Sequence, residues 1–129
     1  MKILLDTCAF LWIITDAPEL SESARMLFVD PANEVYLSAV SAWEIAVKNA
    51  LGRSDFQVDA RVLRRGLLDN GYQELVITSE HAVSIASLPP IHNDPFDRIL
   101  VAQATVEGIL LLTTDALLAQ YPGPVRHVG

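Results

Sequence analysis

Short apolar runs that stop at acids, glycines or prolines alternate along this chain with longer segments whose apolar positions recur every three or four residues. Those are the periods of interior strands and of amphipathic helices. Lys2-Ile-Leu-Leu5 is an apolar run that ends at Asp6, which predicts a buried strand delivering a carboxylate at its C-terminal end. Residues 7–14 predict a helix. Ser21 supplies an N-cap, with Glu22 in the first turn, for a helix that ends before Pro31. Residues 35–38 are the next strand. Over 39–51 the apolar positions Val40, Trp43, Val47 and Leu51 keep helical spacing up to a stop at Gly52, and Glu44 lies inside this helix.

Asp59 caps a further helix whose expected buried side is Val62, Leu63, Leu67 and Leu68, ending near Gly71. Residues 75–77 read as a third strand, and Ser79 opens a short helix that Pro89-Pro90 ends. Asp94-Pro95 is a strong helix start, because the cap residue is followed directly by a proline tolerated in the first turn. That helix runs to Gly108 and carries Asp97 in its first turn. Residues 109–112 form an apolar run too short for a typical helix, hence an interior strand, ending in Thr113-Thr114-Asp115. A short helix over 117–121, a Pro-Gly-Pro turn and an edge strand over 125–128 complete the pattern. Strands alternating with helices give an α/β fold, a parallel sheet covered on both faces, whose sites form beyond the carboxyl ends of the strands. Asp6 and Asp115 stand at two such ends.

Composition narrows the class. With 129 residues, 51% of them hydrophobic, the chain suits a single domain over 1–129 with a core that needs no disulfide or structural metal. Cys8 has no second cysteine to pair with, and no Cys/His pair has zinc-ligand spacing, so a reducing cytoplasm is the expected compartment. The apolar start over 3–14 is broken by Asp6 and followed by no small-residue cleavage site, unlike a signal peptide. No uninterrupted apolar run approaches the ~18 residues of a membrane helix.

A net charge of −7 argues against a nucleic-acid partner, since binding a polyanion releases counterions only where Lys or Arg neutralises phosphates. Two features weaken that objection. Carboxylates that hold a divalent ion do not count as repulsive charge, and Lys48, Arg53, Arg61, Arg64 and Arg65 lie close together in sequence, so an acidic protein can still carry a basic face.

Four acids punctuate otherwise apolar segments: Asp6, Glu44, Asp97 and Asp115. An unpaired buried carboxylate is expensive and needs a cation, hydrogen bonds or water. Gathered around one cleft, the four would form an oxygen-rich site suited to Mg²⁺ or Mn²⁺, with which a phosphodiester could be hydrolysed by activated water without a histidine base. Taken singly, each is equally a helix cap or a solvated residue.

The segments Leu4-Leu-Asp-Thr-Cys-Ala-Phe-Leu-Trp12, Ser38-Ala-Val-Ser-Ala-Trp-Glu-Ile-Ala-Val-Lys48, His92-Asn-Asp-Pro-Phe-Asp-Arg-Ile-Leu-Val-Ala-Gln-Ala104 and Leu112-Thr-Thr-Asp115 together resemble the VapC-type toxins of the PIN-domain ribonuclease family. The resemblance spans nearly the whole chain in the family's order. It implies a three-layer α/β/α sandwich with a central, mainly parallel sheet, and an Mg²⁺- or Mn²⁺-dependent endoribonuclease acting on RNA. It also implies a toxin held inactive by a cognate antitoxin, commonly as a homodimer. The family's four acids fall on Asp6, Glu44, Asp97 and Asp115. Where relatives often have His, this chain has Cys8, which is expected to be buried and inert.

Around these acids, Asp94 either reaches the metal through water or caps its helix, with capping favoured by Pro95. Thr7, Thr113 and Thr114 could hold a ligating carboxylate or merely local backbone. Arg98 could contact phosphate or pair with a carboxylate. Lys48, Arg61, Arg64 and Arg65 are candidates for the RNA backbone, or simply solvated helix faces. Trp12 and Trp43 suit packing or an interface. Two other classes compete: a catalytically silent partner-binding module, and an acidic-pocket phosphotransfer domain. Against the latter stand Cys8, where an aspartate-nucleophile phosphatase wants its second Asp, and Thr113-Thr114-Asp115, where a phosphorelay receiver wants a lysine.

Overall fold

The computed structural model describes residues 1–52, 59–69 and 71–128; Arg53, one of the expected basic residues, lies outside them. The chain runs β1 (Lys2–Leu5), α1 (Thr7–Ile14), α2 (Glu22–Val29), β2 (Glu34–Ser38), α3 (Ala39–Ala50), α4 (Ala60–Asp69), β3 (Gln73–Leu75) and α5 (Ser79–Ser84). A 3₁₀ turn (Ile85–Ser87), α6 (Pro95–Glu107), β4 (Leu110–Thr113), a second 3₁₀ turn (Leu118–Gln120) and β5 (Val125–His127) follow.

Among the described residues the sheet has five strands in the order β3-β2-β1-β4-β5, every pair parallel. The side-chain alternation of a strand explains why β1 and β4 read as continuous apolar runs. Ile3, Leu5 and Leu112 point to one core, with Phe10, Leu20, Ala24, Ile45, Leu63 and Leu67 from α1 to α4. Leu4 and Leu111 point to the other, with Leu100, Val101 and Ala104 of α6 and Leu118 and Tyr121 beyond β4. The result is the expected three-layer α/β/α sandwich. From β1 the chain steps outward through β2 to β3, then returns past β1 to β4 and β5, and right-handed crossovers place helices on opposite faces for the two directions. The reversal lies between β1 and β4, where the strand order opens a crevice at the carboxyl ends.

Local sequence explains most element ends. Ser21 caps α2 by accepting from Ala24 N (3.2 Å). Asp94 caps α6 through Phe96 N (2.8 Å) and Asp97 N (3.3 Å), with Pro95 in the first turn, and Gly108 closes that helix at φ 66. In three places the pattern misled. The third strand is 73–75 rather than 75–77: Gln73, Glu74 and Leu75 pair with Tyr36, Leu37 and Ser38, while Val76 and Ile77 are exposed. In α3 the buried stripe is Val40, Ser41, Glu44 and Ile45, and Trp43 and Leu51 are exposed, so the helix is rotated to turn its acid inward. Val62 and Leu68 of α4 are likewise exposed, leaving Leu63 and Leu67 as its buried side. No helix among the described residues is long and apolar enough to cross a membrane.

Candidate active site

Asp6 is both the first residue past β1 and the N-cap of α1. Its backbone N–H donates to Leu112 O of the adjacent β4 (3.0 Å), which ties the two strand ends together. One carboxylate oxygen accepts from Ala9 N (2.7 Å); the other accepts from the Thr113 hydroxyl (2.5 Å) and Thr114 N (3.1 Å). The group is 3% exposed. Burial raises its pKa despite these three donors, with the charge of Glu44 adding to the rise. Each carboxylate oxygen has two lone pairs, so the donors orient Asp6 without exhausting it.

Glu44 is brought beside Asp6 by α3. The Thr7 hydroxyl donates to Glu44 Oε1 (2.6 Å) and lies 3.0 Å from Ser41 Oγ, while Lys48 Nζ donates to Glu44 Oε2 (2.5 Å) from the next turn. Lys48 Nζ is also 3.8 Å from Asp94 Oδ2 and 5.7 Å from the centre of the Phe96 ring. α6 contributes Asp97 from its first turn. Burial, followed by the charges of Asp94, Glu44 and Asp6, pushes the Asp97 carboxyl up to about 7, with His92 pulling the other way.

Asp115, just past β4, receives Nε2 of His92 at 2.8 Å, and the same nitrogen is 3.5 Å from Asp97 Oδ2. Burial alone would raise Asp115, but the hydrogen bond from His92, with those from the backbone N–H groups of Leu117 and Leu118, leaves it below its ordinary value. Ligand atoms of His92, Asp97 and Asp115 lie within 4.8 Å of one another. His92 is nevertheless a poor ligand in this arrangement. Its Nδ1 accepts from Asp94 N (3.0 Å), so the ring proton of the neutral imidazole sits on Nε2, the atom a metal would need. His92 acts instead as a donor that holds Asp115 toward Asp97.

Asp6, Thr7, Cys8, Glu44, Lys48, His92, Asp94, Asp97, Thr114 and Asp115 line one cleft of about 260 Å³ at the β1/β4 crevice. The four acids singled out by sequence therefore converge. Asp94 borders the cleft with its outer oxygen while the inner one caps α6. Thr7 fixes Glu44, Thr113 and Thr114 fix Asp6, and Thr113 Oγ1 also accepts from Asp115 N (3.0 Å).

Two expectations change. Cys8 is exposed rather than buried, on the cleft rim. Its thiol is pushed up to about 11 by local desolvation and then by Asp6, Glu44 and Asp97, which keeps it protonated near neutrality. Among the described residues Arg98 hydrogen-bonds to no carboxylate: its guanidinium donates to the carbonyls of Ile85, Pro89 and His92 and to the Tyr121 hydroxyl. It pins the loop that carries His92. His92 itself was missed as a site residue, although its place two residues before the α6 cap was a signal that it would face whatever that helix start faces.

A family model described as PIN domain matches residues 3–124. A comparison with curated proteins finds no match. Among solved structures, a chain in the VapBC2 complex of Rickettsia felis bound to a promoter DNA fragment aligns with TM-score 0.75 and 13% identity, over 100% of both chains. A chain in the DNA-bound VapBC of Salmonella typhimurium aligns with TM-score 0.69 and 15% identity over 98% of each. One in a toxin-antitoxin complex from Klebsiella pneumoniae aligns with TM-score 0.62 and 17% identity over 96% of this chain and 95% of that one. At such identities the likeness is one of fold, and the family rests on the model that spans almost the entire sequence: this chain belongs to the PIN domain family.

Proposed function

We propose that this chain is a VapC-type toxin, an Mg²⁺- or Mn²⁺-dependent endoribonuclease of the cytoplasm that hydrolyses RNA phosphodiesters and is restrained by a cognate antitoxin. The observation that carries the reading is the meeting of Asp6, Glu44, Asp97 and Asp115, from four separate parts of the chain, in one cleft at the β1/β4 crevice. The donor set fits a hard divalent ion, because carboxylate oxygens dominate it and the burial and mutual repulsion that raise Asp6 and Asp97 are offset when a cation is shared. Asp6 and Asp97 are the direct ligands, with Glu44 and Asp115 completing the acidic pocket. Bound there, the ion would orient the phosphodiester, acidify the attacking water and offset charge on the leaving oxygen.

The chain's own groups supply the preorganisation. Three donors fix Asp6, Thr7 and Lys48 fix Glu44, and His92 turns Asp115 toward Asp97. Purified protein freed of any partner is expected to cut RNA with Mg²⁺ or Mn²⁺ and to stop when the metal is chelated. Asp6→Asn and Asp97→Asn are each expected to lower cleavage by at least ~100-fold. Unchanged cutting by both variants would reject the site.

The partner reading rests on the structural neighbours, which are chains of VapBC and toxin-antitoxin complexes. It also rests on an apolar groove of about 600 Å³ between α1, α2 and α4, lined by Phe10, Ile13, Phe28, Val62, Leu67 and Tyr72, among others. An adjoining hollow shares Ile13, Phe28 and Tyr72 with it. An antitoxin segment with apolar anchors for this groove and a basic side chain for the acidic cleft would cover both, in a homodimeric toxin or a toxin-antitoxin hetero-oligomer.

A further inference from the structure

The acidic cleft has two unlike halves. In one, Lys48 is already present as a cation: its ammonium sits 2.5 Å from Glu44 Oε2 and 3.8 Å from Asp94 Oδ2, with its side chain 17% exposed. The helical i,i+4 spacing places it there, and the Phe96 ring under the ammonium lines its seat. The other Glu44 oxygen accepts from the Thr7 hydroxyl and the other Asp94 oxygen caps α6, so it is the Lys48 cation that each carboxylate faces with its remaining oxygen. In the other half, Asp97 and Asp115 face each other across the proton of His92, beside Asp6.

A divalent ion entering the first half would have to displace a partly buried ammonium from contact with Glu44. Both cations cannot share that carboxylate at such range without strong repulsion. We propose that Lys48 is a built-in cation that occupies the Glu44/Asp94 half of the cleft and limits it to a single divalent ion, held on the side of Asp6, Asp97 and Asp115. The proposal rests on the divalent-ion reading above and adds the count. Lys48 is a positioning residue here, acting through Glu44 and through the charge it supplies.

The experiment is a count of bound Mn²⁺ by electron paramagnetic resonance, on the purified full chain free of any partner. Wild type and Lys48→Arg are expected to bind one Mn²⁺ per chain. Lys48→Met, which keeps the side-chain bulk and removes the charge, is expected to bind two. The same count on Lys48→Gln guards against a folding defect in the methionine variant, and circular dichroism checks the fold of each. Two ions in the wild type, or one ion in every folded neutral variant, would overturn the proposal while leaving a metal-dependent nuclease intact. No Mn²⁺ bound by the wild type would overturn the divalent-ion reading and this one with it.

Discussion

Asp97 is the residue in which the conflict within the cleft is concentrated. Its carboxyl, pushed up to about 7 by burial and by Asp94, Glu44 and Asp6, is half protonated near neutrality, and a proton there competes with a metal ion. Mn²⁺ affinity measured by calorimetry is expected to be steady above pH 8 and to weaken by up to roughly tenfold per unit below pH 7. The same shift bears on stability. A carboxyl whose folded pKa lies above its unfolded value of about 4 binds the proton more tightly when folded. Its stabilisation is therefore complete below about pH 4 and is lost as pH rises through about 7. Asp6, raised in the same direction, adds to the trend. The metal-free protein should melt roughly 6–11 °C higher at pH 5.5 than at pH 7.5, the equivalent of about 2 kcal/mol. Asp97→Asn should flatten that difference, and an undiminished difference in the variant would assign it to other groups.

At the scale of single elements, α6 shows how one carboxylate serves two purposes. Asp94 caps the helix with one oxygen and faces Lys48 with the other. Asp94→Ala is expected to cost about 1 kcal/mol in urea unfolding, whereas Asp94→Asn, which keeps the cap, should cost no more than a few tenths. Equal losses would place the contribution of Asp94 in its charge and not in its cap. This helix start was legible from Asp94-Pro95 alone, because capping chemistry is local, and so were Asp6 and Asp115, because a strand that ends in an acid can be read from a few residues. The rotation of α3 was less so. Its apolar residues suggested a stripe through Trp43 and Leu51, but tertiary contacts bury Ser41 and Glu44, whose polar groups are satisfied by Thr7 and Lys48. The start of β3 was hidden because an edge strand takes its register from its neighbour, here from Tyr36 to Ser38, and exposed Gln73 and Glu74 carry no apolar signal. His92 was illegible as a partner of Asp115 because their contact depends on the loop folded back by Arg98 and Tyr121.

Across the whole molecule, the sheet order separates two surfaces of opposite chemistry. The acidic cleft lies at the carboxyl ends of β1 and β4; the apolar groove lies over α1, α2 and α4, where Val62 is 66% exposed and Arg61, Arg64 and Arg65 of the same helix are exposed as well. If the groove seats the antitoxin, Val62→Lys should weaken capture of a co-expressed cognate antitoxin by at least ~10-fold and leave RNA cleavage by the free chain unchanged. Capture undiminished by that change would place the partner elsewhere. The central claim, that distant carboxylates meet to hold a divalent ion, has a more direct test in crystals grown from the partner-free protein with Mn²⁺, read by anomalous scattering. The account predicts a peak in the cleft within about 2.5 Å of carboxylate oxygens of Asp6 and Asp97. A saturated crystal with no peak there, or with its only peak away from these two residues, would contradict it.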